Sequence, residues 1–136
     1  MSGLKGIRLP ADLGSLPRFI DYVTRRAEER GLPAERVLEV QLVVEEALVN
    51  VFQYAFPDGK GEVELLCGPG SGGSLRIEIR DEGVPFDPTG APDPDITAGV
   101  EERTVGGLGI LLIKKISRSV TYRREGGRNI LTLEIQ

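Results

Sequence analysis

Residues 37–55 constrain this chain more than any other stretch. Val37, Val40, Val44, Ala47, Leu48, Val51 and Ala55 recur at three- and four-residue spacing, the period of one buried helix face. Pro33 stands in front of the run, where a missing N–H costs nothing. Pro57-Asp58-Gly59 ends it and turns the chain. The spacing predicts the longest helix of the protein, and its apolar character is broken at Glu46 and Asn50. Residues four apart stack one turn above the other on the same side of a helix. A carboxylate and a carboxamide placed there, among Val, Leu and Phe, must face something polar. A solvated helix edge meets that requirement, and so does a ligand. Glu45 lies about 100° round the helix from Glu46, so only one of the two shares the face of Asn50.

The flanking chain supplies further elements. Gly6-Ile7-Arg8-Leu9 reads as a short first strand. Ser15 reads as the N-cap of an amphipathic helix on which Leu16, Phe19, Ile20, Val23 and Ala27 recur up to Arg30, with Gly31 just past its end. Glu62 to Cys67 alternates, with Val63, Leu65 and Cys67 on one face. Gly68 to Gly73 is a hairpin loop, and Leu75 to Arg80 alternates again with Leu75, Ile77 and Ile79 inward. Asp81 shares their parity, so one more residue of strand points its carboxylate to the buried side. Residues 87–105 are punctuated by Pro88, Gly90, Pro92, Pro94 and Gly99 and read as a lid. A helix from Gly109 to Ser117 and a hairpin of 120–124 with 129–135 complete the chain. The order β-α-α-β-β-lid-α-β-β predicts an α+β fold: a two-layer sandwich, mostly antiparallel, with helices on one face, in a single domain over residues 1–136.

Composition removes several classes of chemistry. The chain has no histidine and one cysteine, Cys67. A histidine base, a phosphohistidine, a histidine–cysteine zinc site and an intramolecular disulfide are therefore all excluded. A net charge of −4 argues against nucleic acid or an anionic membrane surface as the main partner. The longest purely apolar run, Ile110 to Ile113, is too short to span a bilayer. Residues 1–5 open no long apolar segment of the kind a signal peptide carries, so a cytoplasmic protein is expected. Chemistry must run on carboxylates, amides, backbone groups or a bound metal–nucleotide.

Three stretches fit that last option together. Asp81, at a strand end, is a suitable acceptor for an exocyclic amine such as the N6 group of adenine, with Gly83 allowing close backbone approach or an unusual φ. Asp-Glu-Gly is also ordinary turn chemistry. Gly106-Gly107-Leu108-Gly109 precedes a helix, and glycines at a helix N-terminus let phosphate oxygens reach backbone N–H groups. It follows neither the P-loop nor the dinucleotide spacing, and a flexible hinge reads the same way. Glu46 is a candidate general base, and the Asn50 carbonyl oxygen a candidate Mg²⁺ ligand, since Mg²⁺ keeps most of its waters and takes few protein oxygens.

Taken together and in this order, the stretches resemble the GHKL ATPases of the Bergerat fold, closest to the bacterial anti-sigma factor/serine-protein kinase branch. Glu46 to Asn50 matches the N box, Asp81-Glu82-Gly83-Val84-Pro85-Phe86-Asp87-Pro88 the G1 box, and Val105 to Lys114 the G2 box. The resemblance implies an ATP-dependent protein-serine/threonine kinase. It implies that Glu46 activates the attacking hydroxyl and Asn50 coordinates Mg²⁺. It places Asp81 and Gly83 at adenine, and Gly106, Gly107, Leu108 and Gly109 round the phosphates, with Arg103 adding charge nearby. The family's threonine near adenine maps to Asn129, with Thr132 as the alternative. The implied partners are a STAS-type anti-sigma-antagonist that is phosphorylated, a sigma factor that is held, and a second copy in a homodimer. A non-catalytic module that sequesters a regulator is the rival reading, and a detached histidine-kinase catalytic domain a third. Many members of the branch carry His where this chain has Tyr54.

Overall fold

The computed structural model describes residues 5–89 and 107–136. Strand β1 (Lys5–Pro10) leads through a short 3₁₀ turn into helices α1 (Leu16–Glu29) and α2 (Ala34–Tyr54). Strands β2 (Glu62–Pro69) and β3 (Leu75–Asp81), helix α3 (Gly107–Ile116), and strands β4 (Ser119–Glu125) and β5 (Arg128–Ile135) follow. The five strands form one antiparallel sheet in the order β1-β2-β3-β5-β4. The last strand therefore lies between β3 and β4, which sets Asn129 near the start of β5 beside Asp81 at the end of β3.

Alternation sets the layers. Val63, Leu65 and Cys67 of β2, Leu75, Ile77 and Ile79 of β3, and Leu131, Leu133 and Ile135 of β5 are buried against the helices. Phe19 and Val23 of α1 and Val40, Val44, Ala47 and Leu48 of α2 meet them from the other side. The Phe19 and Phe52 rings, 6.2 Å apart, join α1 to α2. A fully buried side chain of this kind stabilises the fold by roughly 1.5–3 kcal/mol relative to leaving it in water. Among the described residues, no helix is long and apolar enough to cross a membrane.

The helix ends show where local chemistry decides. Gly31 has φ +79°, and α1 closes with Gly31 N–H on the Glu28 carbonyl and Leu32 N–H on that of Ala27. This is the double bond of a Schellman end, which favours glycine at that position. Ser15, expected to cap α1, does not do so. Its backbone is already helical and its hydroxyl makes no cap bond. Asp12 instead accepts the Ser15 N–H at 3.2 Å and caps the 3₁₀ turn ahead of the helix. Pro33 is extended and stands just outside α2, its carbonyl receiving Arg36 and Val37. The expected hairpin loop from Gly68 is shorter than predicted, because β2 runs on to Pro69.

On the sheet face away from the helices, Glu78 is only 2% exposed. Arg76 reaches one of its oxygens at 2.8 Å and Arg80 the other at 2.6 Å. Burial pushes its carboxyl up, but the hydrogen bonds and charge of the two arginines outweigh that and hold it below the usual range.

Candidate functional site

The site begins at the last residue of β3. Register pairs Asp81 with Val63 on one side and Asn129 on the other, so its side chain points toward the helices, and it is 4% exposed. Among the described residues its two hydrogen bonds both fall on Oδ1, from the Gly83 N–H at 2.8 Å and from the Asn129 amide at 2.9 Å. Among the described residues, Oδ2 has no hydrogen-bond partner and is available as an acceptor. Burial pushes the Asp81 carboxyl above its ordinary value, and the bonds from Asn129 and Gly83 and the charge of Arg124 only partly offset this.

Asn129 is the hub of this corner. Its Nδ2 donates to Asp81 and to the Val84 carbonyl at 2.8 Å. Its Oδ1 accepts the Phe86 N–H at 3.2 Å and the Tyr122 hydroxyl at 2.5 Å. A primary amide has two donors and two acceptor sites, and all four are in use. The orientation is fixed by its partners, because Asp81 and the Val84 carbonyl can only accept. Burial raises the Tyr122 hydroxyl above its ordinary value, so it stays a phenol that donates. The alternative residue, Thr132, faces the opposite side of the sheet beside Glu78, so Asn129 alone of the two shares the face of Asp81. Its saturated amide gives Asn129 the task of holding Asp81.

Gly83 is needed for close approach, since it is absent from the glycines with positive φ. A Cβ there would stand 2.3 Å from the Ala55 carbonyl oxygen. That carbonyl, at the C-terminal end of α2, accepts the next N–H, from Val84, at 2.9 Å. Arg124 reaches the Gly83 carbonyl at 2.8 Å. Tyr54 packs on Phe86 with ring centroids 5.2 Å apart. The turn after β3 is thus fastened to the end of α2 by a hydrogen bond, a glycine contact and an aromatic pair. Tyr54, Phe86, Tyr122 and Arg124 were not predicted as site residues. Cross-strand register signals two of them, since Arg124 pairs with Asn129 and Tyr122 with Leu131.

On α2, Asn50 is 2% exposed and its Nδ2 donates to the Glu46 backbone carbonyl at 2.7 Å. That bond back along the helix fixes the amide, leaving Oδ1 as its acceptor end. Glu46 is half-buried and Glu45 exposed, so the two carboxylates occupy different environments. Helix α3 starts at Gly107, two residues earlier than the sequence predicts, and it ends at Ile116. Gly107, Leu108 and Gly109 therefore form its first turn, whose N–H groups have no partner within the helix. Arg103, Gly106 and most of the expected lid lie outside the described residues.

Among the described residues, no group of three His, Cys, Asp or Glu side chains could hold a metal by itself. The donor set at Asn50 fits a cation that takes most of its ligands from phosphate and water, as Mg²⁺ does. A cavity of about 330 Å³ also borders Asp81, lined by Arg8, Glu64, Arg80 and Arg128 among others. It includes neither Glu46 nor Asn50, and these arginines already pair with Glu64, Glu78 and Glu82.

Comparison with known proteins agrees with the fold. Over 92 residues the chain is 30% identical to the serine/threonine-protein kinase BtrW of Bordetella bronchiseptica, covering 68% of this chain and 65% of that protein. It is 26% identical over 109 residues to the serine-protein kinase RsbW of Bacillus cereus, covering 77% of this chain and 68% of that one. The chain thus spans about two thirds of the length of these relatives. The fold is similar to the crystal structure of the RsbU and RsbW domains of Rv1364c from Mycobacterium tuberculosis. There the TM-score is 0.66 at 14% identity, over 99% of this chain and 32% of that one. It is also similar to the SiaB-SiaC complex from Pseudomonas aeruginosa, with a TM-score of 0.60 at 15% identity, over 96% of this chain and 88% of that one. The profile of the histidine kinase-like ATPase domain matches residues 9–135, and the chain belongs to that family.

Proposed function

We propose that this protein is an ATP-dependent protein-serine/threonine kinase that works as an anti-sigma switch in the cytoplasm. Its substrate is a STAS-type anti-sigma-antagonist, and in the unphosphorylated state of that partner it gives up a held sigma factor. A second copy of the chain completes a homodimer. The observation that carries the reading is the fastening of the Asp81–Asn129 corner to the end of the helix bearing Glu46 and Asn50. The kinase names of the relatives support the reaction class.

The roles follow from the groups. Asp81 offers Oδ2 to the exocyclic amine of adenine while Asn129 and Gly83 hold Oδ1. The first turn of α3 offers backbone N–H groups to the phosphates, and the same role is proposed for Gly106, with Arg103 adding charge. Asn50 presents its carbonyl oxygen to Mg²⁺, which when bound neutralises phosphate charge and aligns the phosphoryl group. Glu46 takes the proton of the acceptor serine hydroxyl as its oxygen bonds to the γ-phosphorus. The bond from that phosphorus to the β–γ bridging oxygen breaks, and ADP leaves. Positioning and charge stabilisation carry most of such a transfer.

The test is radiolabelled ATP with Mg²⁺ and the STAS-domain proteins of the source organism, run beside Asp81→Asn. The reading expects label on one STAS protein with the wild type and none with Asp81→Asn. Failure of the wild type to bind ATP refutes it.

A further inference from the structure

Helix α2 carries an apolar ridge that the nucleotide chemistry does not use. Leu38 is 56% exposed and Leu42 is 40% exposed, among the few large apolar side chains left in water. At 100° per residue Leu38, Leu42 and the half-buried Val49 fall within a sector of about 40°, opposite the core positions Val40, Ala47 and Val51. Glu46 lies about 40° beyond Leu42 and one turn along. Gln41, on the other flank, bonds to Thr24 of α1 at 2.9 Å, so the ridge runs along the outer surface toward the proposed base. Single exposed leucines need no explanation, but a line of them leading to a reacting group does.

The rim of the ridge is acidic. Helix α2 holds Glu35, Glu39, Glu45 and Glu46 against one cation, Arg36, which is occupied by Glu39 at 2.7 Å. Charge selects among the occupants. A second copy packed ridge to ridge would face its own acidic rim, a like-charge contact. The stretch 90–103 is itself acidic, with Asp93, Asp95, Glu101 and Glu102 against Arg103. A partner with apolar side chains between Lys and Arg residues meets both demands.

We infer that the Leu38–Leu42 ridge is the docking surface for the phosphoacceptor protein, through an apolar segment flanked by basic residues, and that it delivers the serine hydroxyl to Glu46. This rests on the kinase reading above. An exposed ridge with a complementary rim sets affinity for the acceptor and leaves the nucleotide site alone.

The test compares wild type, Leu38→Ser/Leu42→Ser and Glu35→Lys/Glu45→Lys on the STAS-domain protein that the wild type phosphorylates. Both variants change exposed side chains, so folding is checked by their unfolding midpoints. The inference expects the KM for the acceptor to rise tenfold or more in each, with kcat at saturating acceptor and the Kd for ATP unchanged. An unchanged KM overturns it. A changed Kd for ATP with an unchanged KM overturns it in favour of residues 90–103 of the chain itself as the occupant, and a loss of self-association with an unchanged KM in favour of a second copy. If the wild type labels no STAS protein, the kinase reading fails separately. The ridge is then decided by direct titration of the same STAS proteins, where equal binding by wild type and leucine variant, or no binding by either, overturns it.

Discussion

Asn129 donates its side-chain amide to Oδ1 of Asp81 at 2.9 Å, and the two residues are cross-strand partners on β5 and β3. The same amide serves Val84, Phe86 and Tyr122. Its removal therefore leaves several partly buried groups unpaired, each costing about 1–3 kcal/mol where water cannot reach. Asn129→Ala should lower unfolding stability by about 2 kcal/mol or more and weaken ATP binding at least tenfold, because Asp81 loses its fixed orientation. Urea unfolding and ATP titration read the two effects. Unchanged ATP affinity in a folded variant would show that Asn129 does not position Asp81.

Asp81 makes stability depend on pH in an unusual direction. Its carboxyl is raised by burial, so the folded state binds its proton more tightly than the unfolded chain does. The stabilisation from that proton is complete below the unfolded value, about 3.9, and is lost as pH rises through the higher folded value. At neutral pH the ionised group is thus a cost that ligand binding offsets. Asp81→Asn should match wild type in Tm near pH 4 and exceed it at pH 7, while binding no ATP. A Tm difference independent of pH would contradict this.

Gly83 meets the Ala55 carbonyl too closely for any side chain. Gly83→Ala should displace the turn from the end of α2 and cost about 1–3 kcal/mol, the usual range for overpacking. ATP affinity should fall with it, since the Gly83 N–H also holds Asp81. Thermal melting with and without ATP checks both; a variant as stable as wild type would mean that the contact relaxes freely.

Cys67 is buried, and burial pushes its thiol up to about 12. The thiolate is the reactive form, so the native protein should resist a thiol-specific reagent at pH 8 and react fully once denatured. Rapid stoichiometric labelling of the native protein would contradict the packing of β2 against α1.

Much of this was legible in the sequence because it depends on local period. The apolar stripe of α2, the alternation of β2 and β3, and the inward parity of Asp81 follow from spacing alone. What depended on strand neighbours was not. Alternation puts Asn129 and Thr132 on opposite faces of their strand, but only the sheet order, with β5 beside β3, sets Asn129 against Asp81. Asn129 and Asp81 lie 48 residues apart, and no local pattern reports that they touch. Tyr54, whose role the sequence left open, packs on Phe86 of the turn after β3, a contact that no local pattern reports. The start of α3 was misplaced because glycines are poor helix formers and argue for a later beginning.

As the proposed general base, Glu46 serves phosphoryl transfer in a site that binds nucleotide without it. The most direct measurement is single-turnover transfer from labelled Mg·ATP to the STAS acceptor by wild type and Glu46→Gln, with ATP affinity measured on both. Equal ATP affinity is expected, with a transfer rate in Glu46→Gln reduced by about 10²-fold or more, in line with general-base contributions. Undiminished transfer by Glu46→Gln, or control of the partner that persists without any transfer by the wild type, would contradict it.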